Sequence, residues 1–153
     1  MENNLISIEE QVNNAVAEKD YVAMWNNESN ASAVGRDWCS YVLNTQEDKE
    51  YLLKRITETP IKLQEAVNEV LEIEGIYLEN VEIPDQNTGE RKVMPRMLLI
   101  TADKVYSTLG ITAFNNMTKI LKYVGLPTTK KPIKLKVKMT SSNNKNYYSF
   151  QKL

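Results

Sequence analysis

The hydrophobic period of the chain changes several times. From Leu5 to about Asn26, "LISIEEQVNNAVAEKDYVAMWN" places Leu5, Ile8, Val12, Val16, Val22 and Trp25 at roughly helical intervals, and Ser7 and Glu10 have the spacing of a capping box. One or two helices are predicted there. "NNESNASAVG" (26–35) is small and polar and closes on Gly, which reads as a linker. "RDWCSYVLN" is short enough to begin either a strand or a helix. "TQEDKEYLLKRI" (45–56) has a Thr cap, early acids and late bases, the marks of a helix, and Pro60 ends the segment.

From about Val67 the period becomes two. "VNEVLEIEGIYLENVEI" puts Leu71, Ile73, Tyr77, Val81 and Ile83 on one parity, predicting a long strand with a bulge or bend at Gly75. The turn residues of "PDQNTGE" return the chain into "RKVMPRMLLIT" (91–101), so the two runs form a hairpin. Pro95 has no N–H and belongs at an edge or a bulge. A turn at Ala102 and Asp103 leads to a short strand, "KVYST" (104–108). "TLGITAFNNMTKILKYVG" then aligns Ile111, Phe114, Met117, Ile120 and Val124 on one helical stripe, with Thr108 as its cap and Gly125 and Pro127 as its stop. In "KKPIKLKVKMT", Ile133, Leu135, Val137 and Met139 alternate with Lys134, Lys136, Lys138 and Thr140, a half-buried strand whose wet face is a row of ammonium groups. The polar loop "SSNNKN" and a last strand, "YYSFQKL", follow.

Residues 67–153 thus read strand, strand, strand, helix, strand, strand. That is the order of the OB-fold, a five-stranded Greek-key barrel with a helix between strands three and four, whose strand 2–3 face and loops, here 84–90 and 141–146, bind oligonucleotides. A mixed α+β sheet without barrel closure is the other architecture this order allows. The expected organisation is an acidic helical arm and linker over 1–35, then an OB-fold nucleic-acid-binding domain over 36–153.

Composition narrows the chemistry. The 153 residues, 42% hydrophobic and 25% charged, suit one globular domain with appendages. No run reaches the length of a membrane span and "MENNLISIEE" lacks the features of a signal peptide, so a cytoplasmic protein without membrane contact is expected. Cys39 is the only cysteine and reads as a small buried residue. The chain has no His, which removes Ser-His-Asp and Cys-His catalysis and Cys/His zinc sites. No enzyme, cofactor or metal is expected. The net charge of −1 hides a division: residues 1–90 hold 6 Lys+Arg against 19 Asp+Glu, and residues 91–153 hold 13 against Asp103 alone. A basic half of this kind suggests a nucleic-acid partner.

The stretches "IEGIYLENVEI", "NTGE", "MPRMLLITADKVYST", "ILKYVGLP" and "KPIKLKVK" together resemble the OB-fold single-stranded-DNA-binding proteins of Gram-positive phages and conjugative plasmids and elements. The resemblance covers about residues 60–153. It implies single-stranded-DNA binding during replication or conjugative transfer, and Arg96, Tyr106, Lys134 and Lys136 match basic or aromatic positions of that pattern. The housekeeping bacterial proteins of this function end in an acidic tail, whereas this sequence closes on "SFQKL" and carries its acids at the front.

A binder of single strands needs cations for the backbone and aromatic faces for the bases. Lys134, Lys136 and Lys138 supply charges about 6.6 Å apart, twice the rise of a strand. Arg91, Lys92, Arg96 and Lys104 extend the charge, and Tyr106, Tyr147 and Tyr148 are candidate platforms, with Phe150 assigned to the core. Trp38 and Tyr41 are assigned to an apolar contact. Leu5, Ile8, Val12, Val16 and Trp25 are the residues expected to drive self-association through the arm. RNA and double-stranded DNA are further candidate partners, and a module whose basic face binds an acidic protein is the alternative function. Asp85, Glu90 and Lys92 have the residue types of a metal-dependent nuclease, but both acids fall in one turn, which cannot preorganise a metal site.

Overall fold

The computed structural model describes residues 20–26, 33–34 and 37–153, and the fold is α+β with two sheets. The larger sheet has the order β1-β2-β5-β6-β7-β3, and the smaller has the order β4-β8-β9. In chain order the elements are α1 (Tyr21–Asn26), β1 (Ala33–Val34), β2 (Asp37–Cys39), α2 (Gln46–Ile56), β3 (Ile61–Lys62), a 3₁₀ turn (Leu63–Ala66), β4 (Val70–Ile73), β5 (Gly75–Pro84), β6 (Arg91–Ile100), β7 (Val105–Leu109), α3 (Ile111–Val124), β8 (Ile133–Ser142) and β9 (Lys145–Lys152).

The long strand read from the period of two is divided at Glu74 into β4 and β5, and the bend hands the chain from one sheet to the other. It also reverses the parity. Leu71 and Ile73 face the main core before the bend, whereas Ile76 and Leu78 face it afterwards, leaving Tyr77 on a second apolar cluster on the opposite face. The cause is local. The buried Glu74 carboxylate accepts hydrogen bonds from Tyr41 Oη at 2.8 Å and Tyr51 Oη at 2.6 Å, with Arg55 Nη1 at 3.7 Å. The Tyr41 ring lies so close to Gly75 that a Cβ there would overlap it.

The β5–β6 hairpin pairs Pro84 with Arg91 and continues to Gly75 with Ile100. Pro95 opposes Asn80 on one side; on the other, β7 has already ended at Leu109, paired with Arg96. The Pro95 carbonyl accepts the Gly110 N–H on that side, so the missing proline N–H faces no strand. Helix α2 starts at Thr45 with the capping box intact. Helix α3 differs from expectation at its start: Gly110 is the N-cap, because Thr108 is committed to β7 opposite Met97. Its end is as read, with Gly125 at a φ of +93° donating to the Leu121 carbonyl.

Two expectations are corrected. The sheets do not close into a five-stranded barrel: β7 takes β3 in parallel at Tyr106 and Ser107, and no ladder joins β7 to β9 among the described residues. The Phe150 N–H of β9 is satisfied instead by Asn116 Oδ1 of α3. The second correction concerns Trp25, expected to mediate self-association from a separate arm. It is only 4% exposed in its own core, stacked on Phe114 at 5.0 Å and edge-on to Trp38 at 4.8 Å. Its Nε1 donates to Thr118 Oγ1 at 2.7 Å. An indole this large gains more from that slot than from solvent, so residues 20–26 belong to the domain. Leu5, Ile8, Val12 and Val16 lie outside the described residues.

Candidate nucleic-acid interface

Ile133, Leu135 and Val137 of β8 enter the main core beside Leu71, Ile73 and Phe150, which fixes Lys134, Lys136 and Lys138 on the outer face. Across that face Lys134 opposes Glu72, Lys136 lies between Val70 and Gln151, Lys138 opposes Ser149, and Thr140 opposes Tyr147. Tyr147 therefore stands on the lysine face, diagonal to Lys138, a neighbour distance of about 7–8 Å. None of the three lysines makes an ion pair among the described residues. Tyr148 has the other parity and leans on the core.

The bases of β6 are placed differently. Arg96 Nη1 is 2.6 Å from Glu79 Oε2, Arg91 Nε is 3.0 Å from Glu82 Oε1, and Lys92 Nζ is 4.0 Å from Asp85 Oδ2. Acids of the negative half thus neutralise bases of the positive half along the β5–β6 hairpin, and the charge division read from the sequence persists in full only after Asp103. Lys104 is at the opposite end of β6 from Arg91, on a groove of about 480 Å³ with Glu69, Glu72, Glu74 and Asp103. Tyr106, a candidate platform, is 5% exposed and packs in the core, because its parity on β7 is the inward one. Neither Lys104 nor Tyr106 joins the lysine face.

Arg96, Tyr147 and Tyr148 do come together. They line a groove of about 500 Å³ with Lys62, Met94 and Leu109, in the seam between the β3–β7 edge and β9. The seam exists because β7 and β9 are unpaired, so the departure from a closed barrel creates the cleft. Lys62 was missed in the sequence because it lies in the acidic half. Glu79 was missed although its signal was present: counting the hairpin register outward from Pro84 and Arg91 sets Glu79 opposite Arg96.

Asp85 has a local role. Its Oδ1 accepts the N–H groups of Asn87 at 2.8 Å and Thr88 at 3.2 Å, and these bonds hold the carboxyl below its ordinary value. Among the described residues no three His, Cys, Asp or Glu side chains are grouped to hold a metal ion, and no helix is long and apolar enough to cross a membrane. Cys39 is buried, and burial raises its thiol pKa. No family model, curated protein or solved structure matches the chain.

Proposed function

We propose that this protein binds single-stranded nucleic acid without catalysis, with single-stranded DNA of a replicating or transferring phage or plasmid as its partner. The observation that carries the reading is the outer face of β8 and β9: three lysines that form no ion pair among the described residues, Lys134 having Glu72 across from it, with Tyr147 on the same face and the Arg96–Tyr147–Tyr148 groove beside it. Ammonium groups at strand spacing suit successive phosphates of an extended strand, and tyrosine faces suit unstacked bases of any sequence. Strand order supports an OB-like reading. The first strand is shared between the sheets, β5–β6–β7 form a meander, α3 follows, and β8 and β9 return against β4, with the seam between the third and fifth strands open. Binding in this reading is sequence-independent because cations act on phosphates and tyrosine faces on any base.

The test is a fluorescence-anisotropy titration with mixed-sequence single-stranded DNA, duplex DNA and RNA over a range of salt. Three to six phosphate contacts give a log–log salt slope between about −2 and −4 on single strands. Preference for an acidic protein ligand over every nucleic acid at low salt would overturn the proposal.

A further inference from the structure

Helix α3 lies along β9. Its first residues line the groove that holds Tyr147 and Tyr148, and Asn116, one turn further, accepts the Phe150 N–H. The helix therefore advances in the same direction as the strand. Asn116, Lys119 and Tyr123 follow at helical spacing on one flank, which carries Tyr123 about 10 Å beyond Asn116 toward Lys152. The end of β9 in turn adjoins the start of the lysine row, since the Leu153 N–H donates to the Lys134 carbonyl.

Tyr123 is 80% exposed. The inward stripe of α3 is Phe114, Met117 and Ile120, so Tyr123 makes no contribution to the core. Lys119, Lys122 and Lys152 are exposed as well, and among the described residues none makes an ion pair with an acidic side chain, although Lys152 Nζ donates to the Leu153 backbone oxygen. An exposed aromatic ring among cations without acidic side-chain partners suits a nucleobase with its phosphate.

We propose that Tyr123 is a second stacking platform for the single strand, beyond the end of β9 opposite Tyr147, with Lys119 of α3 and Lys152, which has the helix-side parity of β9, holding the phosphates next to it. The inference rests on the reading of the β8–β9 face as a nucleic-acid interface. From Tyr147 to Lys152 the strand rises about 17 Å, so a short oligonucleotide reaches one platform and a longer one reaches both.

The experiment compares the wild-type chain with Tyr123→Ala and Tyr123→Phe by anisotropy on dT2 and dT12, and follows the emission of Tyr123→Trp as dT12 is added. The alanine variant should lose about tenfold in dT12 affinity with dT2 binding at Tyr147 retained, the phenylalanine variant should bind as wild type, and the new tryptophan should be quenched. Wild-type dT12 affinity in the alanine variant, or an unquenched tryptophan, overturns this inference and leaves the proposed function standing. Loss of self-association by the alanine variant with dT12 affinity intact also overturns it, and makes Tyr123 a protein contact. A wild-type chain that binds no single strand overturns both.

Discussion

Replacing Glu79 with Gln separates the two basic surfaces. Arg96 lines the groove beside Tyr147, yet its Nη1 is held 2.6 Å from the Glu79 carboxylate, with both side chains about one-third exposed. A phosphate entering the groove competes with that carboxylate for the same guanidinium. In the Glu79→Gln variant Arg96 is free to make one further phosphate contact, which steepens the log–log salt slope on single-stranded DNA by about 0.7. If that contact contributes nothing at 1 M salt, the slope converts to about an eightfold gain in affinity at 50 mM salt and about threefold at 200 mM. A partly exposed ion pair contributes about 0.2–1 kcal/mol to stability, so the variant should stay folded, with its melting temperature lowered by a few degrees at most. The assay is anisotropy against a mixed-sequence 20-mer at four salt concentrations, with thermal melting of both proteins. An unchanged slope refutes the reasoning, because Arg96 would then stand outside the path of the strand.

Changing Lys134, Lys136 and Lys138 together to Gln should flatten the salt slope by about 2 without unfolding the protein; an unchanged slope makes the row a guard against edge-to-edge sheet pairing. Trp25→Ala should lower unfolding free energy in urea by about 3–5 kcal/mol, since the ring fills a slot against Phe114 and Trp38; a near-wild-type value would return Trp25 to the role of an exposed association residue. Deleting residues 1–19 keeps Trp25, Trp38 and Phe114 in the chain, so a folded monomeric product with wild-type binding to short strands, compared with the full chain by light scattering on long single strands, tests assembly through the arm. Burial, then the hydrogen bond to Glu74, raises the Tyr41 hydroxyl above its ordinary 10. The folded pKa exceeds the unfolded one, so this contribution is whole below about pH 10 and is lost as pH rises beyond it. Alkaline melting should show this decline, and Tyr41→Phe should weaken it; an unaltered alkaline profile in the variant counts against the assignment.

The local elements were legible because their causes are local. The capping box at Thr45, the turn residues around Asp85, the glycine that ends α3 and the alternation of β8 each act within a few residues, so one sequence suffices to read them. The lysine face was legible for the same reason: once Ile133, Leu135 and Val137 must be buried, the pleat sets Lys134, Lys136 and Lys138 outside. What lay beyond the sequence depends on residues far apart in it. Parity beyond Glu74 depends on Tyr41, Tyr51 and Arg55 reaching the bend from other elements. Trp25 became core because α3, some ninety residues away, presents Phe114 and Thr118 to it. The ten candidate cations and tyrosines could be placed on strands from the sequence but not sorted by their contacts with other elements. The Arg96–Glu79 pair follows from the hairpin register, but only the tertiary structure buried Tyr106, turned Lys104 toward an acidic groove and left β7 and β9 apart, because burial and contacts between distant elements are properties of neighbours in space.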